Sequence, residues 1–294
     1  MTELRFNELR GEQVVYAAHR QDRTLRPDAA DCPLCPGSSE IPVEAFEIAV
    51  LENRFPAFDA SEVVVYTDNH EGSFGTLPAR RAEALMWVWR DRYRELGARA
   101  DVEYVMIFEN RGAVVGATLD HPHGQIHGYP FLPPVPAAER AADERRGGCV
   151  PCALAAEELE GGERVVLKED SLVAYVPYAA RWPYEIHLTL LAHRPSLLDC
   201  TAAELRDLAA GLQAMARGYD ALWDQAMPYM MVLHQAPTDG LGGGHLHVEF
   251  YTPLRAPATP KYLASGEQGA GTFTVDVLPE RAAAELRAAI ERAG

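Results

Sequence analysis

No run in the sequence approaches 18 consecutive apolar residues, which argues against a transmembrane helix. The opening stretch, MTELRFNELRGEQ, carries charges where a secretory signal needs an apolar core, so a cytoplasmic location is expected. Positive charge is scarce. With 27 basic residues against 43 acidic ones the formal charge is −16, which argues against nonspecific binding to nucleic acid or an anionic membrane. Any anionic ligand must be held by local groups. Cysteine is also sparse: there are five, and four form the pairs Cys32-Pro-Leu-Cys35 and Cys149-Val-Pro-Cys152. In a cytosolic chain such pairs are metal ligands or redox pairs more often than structural disulfides. Neither pair is expected to open a helix in a thioredoxin-like pattern, which sets redox chemistry aside. Cys200, alone before a helical pattern, is read as packing. Apolar residues are plentiful, 48% of 294, with 24% charged. That is enough for one large or two ordinary domains with cores, and it excludes disorder, collagen and coiled coil.

The chain is written twice. After the first C-x-x-C comes a β-type run at 63–66, then His70, then a helical pattern with Leu85, Trp89, Tyr93 and Leu96 on one face. A strand at 104–108, a Gly-bearing loop and His121-Pro122-His123 follow. After the second pair come strands at 172–176 and 186–191, then His193. Thr201 and Glu204 form a capping box for a helix carrying Leu205, Leu208, Leu212, Met215 and Tyr219. A strand at 229–234, GLGGG and His245-Leu246-His247 complete the series. The expected fold is therefore α+β, a duplicated unit of antiparallel sheet and packed helices, with repeats at 1–140 and 141–294 joined in the charged stretch near 137–148. GLGGG (240–244) lacks the lysine and serine of a phosphate loop and precedes a strand, so it reads as a flexible connection. Residues 279–293 read as a terminal amphipathic helix entered at Pro279.

The densest chemistry lies in DHPHGQIHGYP, residues 120–130. On an extended chain His121, His123, Gln125 and His127 would share one face. Pro122 suggests an edge or a bulge, and Gly124 a place where a ligand approaches the backbone. A neutral imidazole can bind a metal or attack an electrophilic phosphorus, but not with the same nitrogen. Neighbouring histidines can divide those tasks. Cys32, Cys35, His70 and His121 supply a tetrahedral Cys₂His₂ set for Zn²⁺, and the histidine two residues on remains free to react.

HPHGQIH resembles the active-site signature of the galactose-1-phosphate uridylyltransferase family, a branch of the histidine-triad superfamily. RGEQVVYAAHRQDR, CPLCPG, ENRFPAF, FENRGAVVGAT, PYEIHLTLLAHR, HQAP and HVEFYTPLRAPATPKYLASGE are similar to further family segments in family order. The resemblance implies that His123 attacks the α-phosphorus of UDP-glucose, and that galactose 1-phosphate then takes the UMP group. Gln125 stands where the hydrolases of the superfamily carry a third histidine; an amide can hydrogen-bond a phosphoryl group but is no general acid at neutral pH. His127 departs from the family's usual aromatic residue and is assigned a packing role.

By the same resemblance Asn53 and Phe55 contact the uridine side, and Asn110, Gly116 and Thr118 cradle the phosphates. Arg20 and Arg23 reach the neighbouring subunit's site, which implies a homodimer with shared sites. Lys261, Tyr262 and Glu267 belong to the region that handles the hexose. Repeat logic favours a second zinc set, Cys149, Cys152, His193 and His245. The alternative is an iron-type site of Glu139, His234 and His247, where the family's usual fourth histidine is Glu249. Two other functions stay open: a related ADP-sugar or dinucleoside polyphosphate phosphorylase or adenylyltransferase, and a zinc-bound nucleotide-binding module without catalysis.

Overall fold

The computed structural model describes residues 2–22 and 27–294. A hairpin of β1 (Glu3–Asn7) and β2 (Glu12–Tyr16) leads to β3 (Ala49–Glu52), β4 (Ala60–Val65), α1 (Ala79–Gly97), β5 (Tyr104–Arg111) and β6 (His123–Tyr129). Two helices, α2 (Pro134–Arg146) and α3 (Val150–Gly161), separate this series from the next. The second series comprises β7 (Val165–Lys168), β8 (Leu172–Tyr175), β9 (Ile186–Leu190), α4 (Ala202–Leu222), β10 (Tyr229–His234) and β11 (His247–Tyr251). A short pair, β12 (Leu254–Ala256) and β13 (Thr259–Pro260), precedes α5 (Pro279–Ala293).

One antiparallel sheet runs β3-β4-β6-β5-β10-β11-β9-β8-β7. The first series contributes β3-β4-β6-β5; the second, taken from its far side, contributes β8-β9-β11-β10 in the same order. The two halves join where β5 pairs with β10, with Ile107 opposite Leu233. The expected duplication is thus visible as two like sheets sharing one ladder.

Strand alternation gives the sheet two different faces. Ile107, Ile126, Met231, Leu233, Val248 and Phe250 point to one side, where they form the main core with α1 and α4. On α1 the expected Leu85, Trp89, Tyr93 and Leu96 are buried, together with Ala82 and Met86. The α4 capping box closes as read: Thr201 Oγ1 accepts from the Glu204 amide at 3.2 Å, and Glu204 accepts from the Thr201 amide at 2.7 Å. On the opposite face the halves diverge. Over the second half, α3 packs on Val173 and Tyr175 through Ala155, Leu154 and Leu159. Over the first half the face carries His123, Gln125 and His127 and opens into a cavity.

Three local expectations are corrected, those on Pro122, His121 and Gly124, and two joining elements take a definite form. The charged stretch near 137–148, between the two series, forms most of α2, closed by Gly147 in the left-handed conformation at φ 71°. Cys149 is the N-cap of α3 and its Sγ accepts from the Cys152 amide at 3.4 Å, so the second C-x-x-C does open a helix. No β-α-β element of the thioredoxin kind surrounds it, since α2 precedes it directly. Pro122 marks neither an edge nor a bulge. It precedes β6, which lies between β4 and β5, and its carbonyl accepts from the Tyr66 amide at 3.0 Å. His121 also precedes the strand, so only His123, Gln125 and His127 share the open face. Gly124 makes room for Tyr66 rather than a ligand: a Cβ there would sit 2.2 Å from the tyrosine hydroxyl.

Candidate active site and metal centres

His121 leaves the strand face because its ring turns toward the cysteines. Its Nδ1 lies 3.9 Å from Cys32 Sγ and 3.5 Å from Cys35 Sγ, and His70 Nδ1 lies 3.4 Å from Cys35 Sγ. A tetrahedral zinc with ordinary Zn–S and Zn–N bonds places ligand atoms about 3.6 Å apart, so the spacing fits the ion. The second ring nitrogen of His121 donates to the Thr67 carbonyl at 2.7 Å, which fixes the tautomer that leaves Nδ1 to the metal. Burial pushes the Cys32 thiol up to about 11, so without a cation this thiol holds its proton.

The second half repeats the arrangement. Cys149 Sγ lies 3.4 Å from His245 Nδ1, and Cys152 Sγ lies 3.5 Å from His193 Nδ1 and 3.0 Å from His245 Nδ1. Glu139, His234 and His247 also converge, their ligand atoms within 4.8 Å of one another. The duplicated Cys₂His₂ set and the iron-type set are alternatives by sequence; the fold assembles both residue groups, His245 just before β11 belonging to one and His247 at its start to the other. Around the latter, Glu249 Oε2 lies 3.6 Å from His234 Nε2, and Glu249 Oε1 lies 3.3 Å from His187 Nε2. His187 also bonds Glu185 at 2.9 Å. His234 Nδ1 is 2.9 Å from Glu139 Oε1, yet neither of its ring nitrogens makes an aligned hydrogen bond. That is the posture of a ligand. Burial opposes ionisation of Glu249, but His187, His234 and His247 hold its carboxyl far below the usual range. His187 and Glu185 escaped the sequence reading, since nothing in IHLTLL sets a histidine apart from other strand residues.

His123 is built differently. Its Nδ1 donates to the main-chain carbonyl of His121 at 2.7 Å, which leaves Nε2 as the nitrogen with a lone pair to share. Burial lowers its proton affinity below the ordinary histidine value, so the ring is neutral near pH 7. Two residues on, Gln125 Oε1 accepts from Asn53 Nδ2 at 3.3 Å, which turns the amide NH₂ toward the cavity. Asn53 is itself fixed, its Oδ1 accepting from the Phe55 amide at 2.9 Å.

The cavity over this face holds about 300 Å³ and is lined by Asn53, Phe55, Asn110, Gly116 and Thr118, as well as His123 and Gln125. Gly116 ends the 113–115 turn at φ 82°, a left-handed conformation that a side chain would strain. On its other side His123 borders a wider cavity of about 760 Å³, walled by Glu109, Arg111, Leu254 and Pro260. Arg20 lines the smaller cavity of its own chain and donates to the Phe55 carbonyl at 2.9 Å. Arg23 lies outside the described residues. Lys261 and Glu267 form a buried pair at 2.8 Å and line neither cavity, and Tyr262 is exposed.

A doubled four-stranded unit bearing this histidine strand defines the uridylyltransferase fold: the chain superposes on a solved uridylyltransferase with a TM-score of 0.90, at 31% identity over 99% of both chains. A solved ADP-glucose phosphorylase from Arabidopsis thaliana shares the fold, with a TM-score of 0.76 at 21% identity over 98% of this chain and 99% of the other. The family models for galactose-1-phosphate uridyl transferase match residues 56–133 (N-terminal domain) and 144–293 (C-terminal domain). The galactose-1-phosphate uridylyltransferase of Thermotoga maritima is 38% identical over 98% of both proteins. That of Streptomyces lividans is 36% identical, covering 97% of this chain and 86% of the relative. The chain belongs to the galactose-1-phosphate uridylyltransferase family.

Proposed function

We propose that the protein exchanges UMP between UDP-glucose and galactose 1-phosphate through a uridylyl group carried on His123. The observation that carries this reading is the His123 ring, neutral, pinned through Nδ1 to the His121 carbonyl, and placed where two cavities meet. Nε2 attacks the α-phosphorus; the N–P bond forms, the bond to the bridging oxygen breaks, and glucose 1-phosphate leaves. A phosphate oxygen of galactose 1-phosphate then attacks the same phosphorus, and the N–P electron pair returns to Nε2. The Gln125 amide donates to the phosphoryl oxygens as charge builds. Asn53 and Phe55 serve the uridine side, while Asn110, Gly116, Thr118, Arg20 and Arg23 serve the phosphates. Lys261, Tyr262 and Glu267 act on the hexose end by bracing the segment whose Leu254 and Pro260 wall the wider cavity.

Zinc fits Cys32, Cys35, His70 and His121, and fits Cys149, Cys152, His193 and His245 in the same way. In either place a bound ion supplies structural closure. Held by Cys32, Cys35, His70 and His121, an ion would steady the loop whose His121 carbonyl accepts from His123 Nδ1, so these residues would help keep His123 in place. The division into repeats 1–140 and 141–294 is supported by the two family models, which meet between 133 and 144. A homodimer is supported by the β1–β2 hairpin, which presents Leu4, Phe6, Leu9 and Tyr16 to solvent. A cytoplasmic setting is supported by five free cysteines.

The test is steady-state kinetics with both substrates varied. Parallel double-reciprocal lines, with glucose 1-phosphate released from UDP-glucose before any acceptor is added, support the reading. Intersecting lines, or release from ADP-glucose in preference to UDP-glucose, would refute it.

A further inference from the structure

Glu109 stands on β5 one residue past Phe108, whose ladder partner on β6 is Gln125. Strand alternation sends its side chain to the face away from the smaller cavity, where it is buried at the edge of the wider one. A buried carboxyl needs partners, and two tyrosines from other segments converge on this one. Tyr229 of β10 donates its hydroxyl to Oε1 at 3.0 Å. Tyr66, which follows β4 and is fully buried, brings its hydroxyl against the same carboxyl, so that it and Oε2 face each other without an aligned hydrogen bond.

Tyr66 also carries the strand that bears His123. Its amide donates to the Pro122 carbonyl at 3.0 Å, and its hydroxyl fills the space beneath Gly124, where a Cβ would come within 2.2 Å of it. The residues on either side of His123 are therefore both seated on one tyrosine, and the far end of that tyrosine meets Glu109. The remaining charged neighbours are engaged with each other: Arg111, also on β5, gives its guanidinium to Asp220 of α4 at 2.7 and 3.0 Å and lies over the Tyr229 ring. Among the described residues Glu109 forms no ion pair of its own.

Burial pushes Glu109 up to about 7, against the pull of Tyr229, Arg111 and Tyr66. An ionised carboxylate accepts from both hydroxyls at once, whereas the protonated form keeps one good acceptor oxygen and must place a proton of its own. The ionised form is thus the one that holds both tyrosines.

We propose that Glu109 is a positioning residue for the transfer reaction, its carboxylate gripping the Tyr66 hydroxyl so that Pro122 and Gly124 keep the His123 ring in its attacking orientation. This inference rests on the nucleotidyl-transfer reading and adds to it a residue that acts through Tyr66 rather than on the substrate.

The first test is the rate at which saturating UDP-glucose labels His123, followed by rapid quench across about pH 6–9 in the parent, Glu109→Gln and Tyr229→Phe. The parent should slow as pH falls through about 7, apart from protonation of His123 itself, which burial places below the ordinary histidine value. Glu109→Gln should lose that limb and label about 10- to 100-fold more slowly on the alkaline side, the scale of a small misplacement of a reacting group, with the KM for UDP-glucose within about twofold of the parent. Tyr229→Phe removes a donor to the carboxylate, so its limb should move to higher pH. A limb absent from the parent, unchanged in Glu109→Gln or unmoved in Tyr229→Phe overturns the inference. The second test needs no turnover: the ¹⁵N resonance of His123 Nδ1 in the resting protein should step with pH near 7 in the parent and not in Glu109→Gln, and a missing step in the parent overturns the inference. A parent that shows the step yet forms no His123 adduct overturns the transfer reading while leaving the coupling of Glu109 to His123 in place, so the two failures are distinguished.

Discussion

His123 and His247 occupy equivalent places in the two halves, and each donates Nδ1 to the carbonyl of the histidine two residues before it, at 2.7 Å and 2.8 Å. The main-chain device that prepares Nε2 for nucleophilic attack is therefore present twice. His123 borders the cavities of about 300 and 760 Å³, whereas His247 borders one of only about 120 Å³. Over His247 lie α2 and α3, with Glu139 reaching 3.9 Å from its Nε2 and Glu249 3.6 Å. Duplication supplied two like strands, and the inserted helices decide which one can meet a substrate.

It follows that His247→Ala leaves nucleotide labelling of the folded protein within about threefold of the parent. Removing one member of a buried charged cluster should instead lower the unfolding free energy by about 3–5 kcal/mol. Denaturant titration and labelling by UDP-glucose, performed on the same preparation, separate the two effects.

Gln125 and Asn53 act as a pair, because the 3.3 Å bond decides which end of the amide faces the phosphoryl group. Gln125→Ala is expected to slow transfer by about 100-fold, the scale of losing one donor to developing charge. Asn53→Ala should cost less, about 10-fold, and the double variant should resemble Gln125→Ala alone. Rapid-quench rates for the four proteins check this; strict multiplication of the two losses would mean that the residues act separately.

The two Cys₂His₂ sets make independent demands on metal. Cys35→Ser and Cys149→Ser should each lose one equivalent of zinc by elemental analysis and melt about 10 °C lower. Cys35→Ser should also lose transfer activity, since its set anchors the His121 carbonyl, whereas Cys149→Ser should keep most of it at temperatures where it stays folded.

Lys261 holds the Glu267 carboxyl down from the ordinary value of 4.5 to about 2. A carboxyl depressed in the folded state stabilises fully above its unfolded value, and the contribution disappears as pH falls through the folded one. The difference in melting temperature between the parent and Glu267→Gln should accordingly be largest at neutral pH and shrink between pH 4.5 and about 2. A difference independent of pH would show that the ion pair is not its source.

Much of this architecture can be read from the chain, and the reasons differ by element. The core faces of α1 and α4 declare themselves by three- and four-residue spacing, and the Thr201–Glu204 box marks an entry to the residue. Metal sets are legible because cysteine is rare and its pairs are short. The α2–α3 pair is not legible from the sequence, because a charged, alanine-rich stretch suits a linker as well as a helix, and tertiary cover settles which it becomes. Pro122 and Gly124 misled for a related reason: their meaning depends on Tyr66, distant in sequence and packed beneath them. The burial that leaves His127 Nε2 without a partner likewise comes from Phe58 and Phe108, on other segments.

The most direct test of the account is mass spectrometry of the intact protein and its peptides after brief exposure to UDP-glucose without acceptor. The account predicts one UMP-sized adduct, located on His123, absent from His123→Ala and discharged by galactose 1-phosphate. An adduct on any other residue, or an unmodified protein that still converts both substrates, would contradict it.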